Sequence, residues 1–207
     1  HIGHYNKFDK IEMEILRNNE VIGYNNYFFE RDGETTTVKN QYKFEVKLLS
    51  ATIFKVEGYG EEIYLNDRLI SFQSKTLQNK KEKFVSLKLD NSNKKFNIKG
   101  SSYSGEASLK NIIGNWWSHK ILQAESQISP ISGSIKEQLV TFIGKENVAI
   151  NGKEFETDHF KLTSKDMSLP EDKRLNFDIW LDKKTSVIVK VTYERMGNWE
   201  YRLKNIE

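Results

Sequence analysis

The sequence predicts a mainly β protein: a single large curled antiparallel sheet laid down in meander order as a half-barrel over residues 1–207, with one or two short helices from about 106–125. Three observations carry this. Within residues 175–203 strands alternate between turns, the first with Leu175, Phe177, Ile179 and Leu181 on one face and Asn176, Asp178, Trp180 and Asp182 on the other. Reversal signals such as Asp32-Gly33, Asn66-Asp67 and Asn151-Gly152 separate runs of strand length. The 207 residues are 12% aromatic and hold only Pro130 and Pro170, which leaves long strands uninterrupted.

In order along the chain, residues 8–16 alternate around Ile11, Met13 and Ile15, and 21–31 return as a Tyr- and Phe-rich strand after Asn18-Asn19-Glu20. The third strand sets Val38, Asn40, Tyr42, Phe44, Val46 and Leu48 against Lys39, Gln41, Lys43, Glu45 and Lys47, one buried face and one wet. The fourth, 52–65, passes Gly58-Tyr59-Gly60, where a bulge or bend is expected to curl the sheet. Strands follow at 69–77, 83–89 and 95–99, then a loop over 100–105. From 106 to 125 alternation stops, and Ile112, Ile113, Trp116, Trp117, Ile121 and Leu122 read as helical. Residues 126–134 read as loop. Sheet resumes at 136–143, 147–150 and 154–163, and after the loop 164–173 a final meander runs through Val187, Val189, Val191 and Tyr193 to Trp199, Tyr201 and Leu203.

Composition excludes several function classes. A net charge of +3 with 26 Lys against six Arg does not favour nucleic acid. With no Cys there is no disulfide, thiolate metal site or cysteine nucleophile. No apolar run approaches a membrane helix, and short even loops with a helical interruption argue against a membrane barrel. The chain begins at His1 rather than Met.

No residue set dictates a chemistry. His119 and His159 are the candidate acid or base of an enzyme reading, but Asp158 and His159 fall on opposite faces of a strand, and no serine elbow accompanies either. Most of the carboxylates Glu61, Glu62, Asp178, Asp182, Glu194 and Glu200 read as solvated. Lys80-Lys81-Glu82-Lys83 and Lys94-Lys95 read as turn charges, with contact to anionic lipid headgroups as the functional alternative. His1-Ile2-Gly3-His4 has the letters of a nucleotide-binding motif without its βαβ setting, and a copper chelate there needs His1 as the natural terminus.

Val21-Ile22-Gly23, Asn66-Asp67-Arg68-Leu69 leading into Ser71, Ser74 and Thr76, a mid-chain Trp beside a short helix, Gly144 with Glu146 and Val148, Asn151-Gly152-Lys153, Trp180-Leu181-Asp182, Val189-Lys190-Val191 and Trp199-Glu200-Tyr201 occur in an order that resembles a family of mostly exported bacterial proteins with a domain of unknown function. Asn79-Lys80 stands where Asn-Gly is expected, and Trp116-Trp117 where a single Trp is. The wider resemblance is to the curled sheet of bacterial lipoprotein-localisation factors, a half-barrel that shelters an acyl chain. It implies a non-enzymatic periplasmic or envelope protein, its signal peptide outside this chain. Such a protein binds a lipid or other apolar molecule on the concave face of its sheet. Trp116, Trp117, Phe44, Trp199, Trp180 and Tyr42 are the expected ligand-binding residues. No cofactor or metal is expected, nor any nucleic acid; peripheral membrane contact and a monomeric state are. The alternatives are a cofactor-independent enzyme in the same cavity and an adaptor with a filled core.

Overall fold

The computed structural model describes residues 2–207, apart from the side chains of Ile2 and His4. The His1-Ile2-Gly3-His4 motif and its copper chelate therefore lie outside the described residues.

After a 3-10 turn at Ile2–Tyr5 come β1 (Lys10–Arg17), β2 (Glu20–Asp32), β3 (Thr35–Leu48), β4 (Ala51–Leu65), β5 (Arg68–Gln78), β6 (Lys81–Asp90), β7 (Lys95–Gly100), β8 (Ser104–Ser108), β9 (Ile112–Ile113), β10 (Ser126–Ile128), β11 (Ile135–Ile150), β12 (Lys153–Ser164), β13 (Asn176–Asp182), β14 (Ile188–Glu194) and β15 (Asn198–Ile206). All belong to one sheet, ordered from β8 back to β1 and then from β15 back to β9. Spatial order is thus chain order bent into a ring, closed where β1 meets β15 and left open between β8 and β9. Pairing is antiparallel except between β9 and β10.

The expected meander and curl are what the chain adopts, with one difference in the middle. Where one or two helices were expected, residues 109–118 run irregularly and the helical part is a single 3-10 turn, His119–Leu122, capped by the Ser118 side chain accepting from Lys120 N. Two Asn, a Gly and the β-branched pair Ile112-Ile113 weaken helix formation there, and that pair instead lies parallel to Gln127 and Ile128. β11 is one strand rather than two, its irregularity absorbed between Phe142 and Gly144.

Strand directions place the turns Asn18-Asn19, Leu49-Ser50, Asn79-Lys80 and Met196-Gly197 at one end of the ring, here the upper, and Gly33, Asn66-Asp67 and Asn151-Gly152 at the lower. The lower end is filled: Tyr5, Phe8 and Trp117 pack with Ile11, Met13, Phe29, Val38, Ile150 and Val187. The segment from β9 to β10 crosses inside the ring. Ile113 and Ile128 pack on Phe72, Leu87, Phe96 and Ile98, and Ile121 packs on Leu162, Ile179 and Val191. Ser74 Oγ donates to Pro130 O at 2.5 Å, and Ser102 N to Ser132 O at 2.9 Å, tying the end of that segment to the far wall. Filled below and crossed by this strap, the ring is a cup.

Candidate functional site

The cup encloses a cavity of about 480 Å³ that opens at the upper end. Its volume lies within the range of small-molecule sites, roughly 300–1,000 Å³. Ile15, Phe44, Val56 and Phe177 supply apolar wall, Tyr42, Trp116, Tyr193 and Tyr201 aromatic wall. The alternation that puts Ile15 and Tyr201 side by side in register makes both face inward.

The inner end is polar. Asn40 Nδ2 donates to Asn25 Oδ1 at 2.6 Å and to Asn26 O at 2.9 Å. Asn25 Nδ2 donates to the Tyr27 hydroxyl at 3.0 Å, and Trp116 N to the same oxygen at 3.1 Å. Burial pushes the Tyr27 hydroxyl well above its ordinary pKa, so it stays a neutral phenol. This network fixes Trp116, whose indole meets Phe177 edge-on at 5.0 Å.

The mouth carries charge of both signs: Lys136, Arg174 and Arg195 as well as Glu171, Asp172 and Glu194, with Met167 also in the lining. Partial burial, then repulsion from Arg195 and Lys173, lowers the Lys136 pKa, and Asp172 offsets this only in part.

Of the expected ligand-binding residues, Tyr42, Phe44 and Trp116 line the cavity. Trp117 points the other way, into the lower core, edge-on to Tyr5 at 5.3 Å and Phe29 at 5.5 Å. Trp199 shares the inward face with Tyr201 but does not line the cavity: it packs edge-on against Phe44 at 5.2 Å, stacks on Tyr193 at 5.8 Å and donates to Arg195 O at 2.9 Å. Trp180 is on the strand face opposite Phe177 and Ile179, where it stacks on His159 at 4.3 Å and donates to Glu146 Oε2 at 2.7 Å. The adjacent indoles 116 and 117 are thus divided between cavity and core, as neighbours in an irregular segment can be.

Neither described histidine lines the cavity. His119 is buried against Tyr5, its Nδ1 2.8 Å from the hydroxyl. His159 Nε2 lies 2.8 Å from Asp178 Oδ1, and Lys161 Nζ 3.0 Å from Asp178 Oδ2. Burial raises the Asp178 pKa, but these two hydrogen bonds outweigh it and hold the carboxyl below its ordinary range. His159 therefore has a carboxylate partner without a cavity. No group of three potential metal ligands occurs among the described residues.

Two glycines expected to bend β4 stand in regular register, Tyr42 opposite Gly58 and Asn40 opposite Gly60; the irregularities fall between Val46 and Lys47 and between Ile63 and Tyr64. Gly58 has another purpose. A Cβ there would fall 2.6 Å from the Tyr42 ring, so its absence gives Tyr42 the room to lie along the wall and share a short hydrogen bond with Thr76. Gly58→Ala is expected to displace Tyr42 and lower stability by about 1–3 kcal/mol. Gly144→Ala, where a Cβ meets nothing within 4 Å, should stay within about 0.5 kcal/mol of wild type in urea unfolding. Equal midpoints for the two variants would refute this account of Gly58.

The reading of Glu62 as solvated is corrected: the side chain is buried. Its Oε2 accepts from Asn115 Nδ2 at 2.9 Å and Trp117 Nε1 at 2.8 Å, and its Oε1 from the Tyr64 hydroxyl at 2.6 Å. One carboxylate thereby ties the crossing segment to the β4 wall. Burial raises its pKa, and the three donors offset this only partly. The signal lay in the alternation: Val56, Gly58, Gly60 and Glu62 share a strand face, so Glu61 and Glu62 cannot both reach water.

The pattern of a family described as a domain of unknown function, DUF6134, matches residues 13–204. No curated protein matches the chain. Among solved structures, a β-barrel-like protein of the domain of unknown function DUF1849 from Brucella abortus is similar over 96% of this chain and 95% of its own, with a TM-score of 0.62 and 11% identity. At that identity the likeness is one of fold. A DUF1329 family protein from Desulfovibrio piger matches at 12% identity over 100% of this chain and 88% of its own, with a TM-score of 0.20.

Proposed function

The chain belongs to the DUF6134 family, and from its cup-shaped sheet we propose a protein that binds a lipid or lipid-like molecule by burying the apolar part of the ligand between Phe44, Val56, Trp116 and Phe177. The observation that carries this is the cavity of about 480 Å³, walled by apolar and aromatic side chains and open at one end. A filled-core adaptor has no use for such a space. At ~0.8 kcal/mol per buried methylene, a chain of about ten carbons supplies on the order of 8 kcal/mol before association costs, the scale of micromolar binding. The mixed charges at the mouth, Lys136, Arg174 and Arg195 with Glu171, Asp172 and Glu194, suit a polar head. On the family resemblance, the place of work is the bacterial periplasm or envelope.

The test is native mass spectrometry of gently purified protein, with titration of the delipidated protein by a fluorescent fatty acid. One amphiphile per chain, exchangeable with added lipid, is the expected result. A clean protein mass with no uptake of the probe would overturn the proposal.

A further inference from the structure

Two turns at the upper end of the cup differ in kind from the others. At the lower end the turns carry Asp32, Glu34, Asp67 and Asn151, the polar residues that a tight reversal prefers. At the upper end Leu49, 95% exposed with φ +50°, and Met196, 89% exposed with φ +50°, occupy left-handed positions. Asn or Gly would be more at ease there, and folding gains nothing from either apolar side chain.

The hairpin that carries Leu49 also outruns its sheet pairing on both sides. Its two strands stay paired out to Leu48 opposite Ala51. On one side the pairing of β2 with β3 stops at Gly23 opposite Phe44, and on the other the pairing of β5 with β4 stops at Val56 opposite Gln78. Residues 45–48 of β3 therefore run beyond their last pair with β2, which itself continues beside them to Glu20 across a cleft. Residues 51–54 of β4 run beyond the β5–β6 turn. Each stretch spans roughly 13 Å at ~3.4 Å per residue. The hairpin grows out of the cavity wall itself, since Phe44 and Val56 line the cavity at its base. Leu48 and Ile53 are exposed beside Leu49.

Charge is sorted in the same place. Residues 46–56 contain Lys47 and Lys55 and no acid, and residues 78–81 contain Lys80 and Lys81 and no acid. The two turns adjoin: Lys55 N donates to Asn79 Oδ1 at 2.9 Å, and Asn79 N to Lys55 O at 2.7 Å. Glu45 and Glu57, just below, lie 3.8 and 3.9 Å from Lys55 and leave the lysines above them outermost.

We propose that this exposed hairpin docks the mouth of the cup on an anionic bilayer surface, Leu48 and Leu49 entering the headgroup boundary while Lys47, Lys80 and Lys81 meet lipid phosphates. The inference rests on the lipid-binding reading and deepens it, by naming a membrane as the source from which the cavity is filled. Exposed apolar side chains ringed by lysine suit such a surface, where burial and charge add.

Co-sedimentation with phosphatidylcholine vesicles, with and without phosphatidylglycerol and at low and high salt, tests it. Binding is expected only with phosphatidylglycerol, and weaker at high salt. Leu49→Asn should reduce binding about tenfold, the scale of one withdrawn leucine. Its thermal midpoint should be equal or higher, because Asn accepts the left-handed conformation. Lys80→Glu with Lys81→Glu should reduce binding most at low salt.

Vesicle binding by Leu49→Asn equal to wild type overturns the proposal. So does a lack of binding to phosphatidylglycerol vesicles, or self-association in sedimentation equilibrium that Leu49→Asn abolishes, which would make a second copy the occupant. Uptake of the fluorescent fatty acid from solution separates the two readings. Leu49→Asn should keep it, because Leu49 is outside the cavity. Leu49-dependent vesicle binding without any uptake would refute the cavity reading and leave the docking surface standing.

Discussion

Glu62→Leu is expected to lower stability by about 3–5 kcal/mol, the range for breaking a buried charged network from one side. The leucine leaves Asn115 Nδ2, Trp117 Nε1 and the Tyr64 hydroxyl with donors and no acceptor, the first two on buried side chains. Each such group costs roughly 1–3 kcal/mol, and the strap from β9 to β10 loses its tie to β4. Glu62→Gln should be far milder, about 1 kcal/mol or less: its Oε1 can serve both Asn115 and Trp117, while its amide donates to the Tyr64 oxygen, whose hydroxyl proton then turns away. The two variants also separate by pH. Burial raises the Glu62 pKa above its value in the unfolded chain, so between those two values the folded state holds the extra proton. Stability attached to this group is therefore fully present below the unfolded pKa and is lost as pH rises through the folded one. Glu62→Gln lacks that loss and should gain on wild type as pH rises through the window. Urea midpoints of both proteins across pH check this, and a pH-independent difference would refute it.

The adjacent indoles should fail in opposite ways. Trp117→Ala removes a fully buried ring from among Tyr5, Phe29 and Tyr64 and deprives Glu62 of a donor. About 3–5 kcal/mol is expected, on the order of 10 °C in Tm for a chain of this size. Combined with Glu62→Leu, the loss should be well short of the sum, because the two residues share one network. Trp116→Ala opens the cavity wall instead. It should weaken a bound fluorescent fatty acid about tenfold or more while lowering Tm by less than Trp117→Ala does. If Trp116→Ala retained the probe at wild-type affinity while Trp117→Ala lost it in a protein that stayed folded, the assignment of one indole to cavity and the other to core would be refuted.

The strands were legible wherever a single face had to be buried. β3 reads off the alternation of Val38, Tyr42 and Val46 with lysines, and the β11–β12 turn off Asn151-Gly152, because period and turn chemistry are local properties. The closure of β1 on β15 was not, since nothing local joins residues almost two hundred positions apart. Nor was the crossing segment, whose Ile112, Ile113, Trp116, Trp117 and Ile121 are spaced by the several walls they meet and follow neither the strand nor the helix period. The polar interior was half visible: Asn25 and Asn40 lie on faces that the pattern marks as inward, yet only their mutual hydrogen bond explains why they are tolerated there. Which aromatic faces a cavity and which a core depends on the path of the strap, and that path is set by Glu62, a residue whose type suggests water.

Closing the ring between its earliest and latest strands also sets a timetable for the growing chain. When β1 to β8 have emerged from the ribosome, β1 has a partner on one side only, and its other edge is bare until β15 arrives. For that interval the nascent protein exposes an unpaired edge with Ile11, Met13 and Ile15 beside it, the kind of surface that invites pairing with a neighbouring chain. A search across so long a loop is slow, so the yield of native protein should depend on how well that edge is guarded during synthesis.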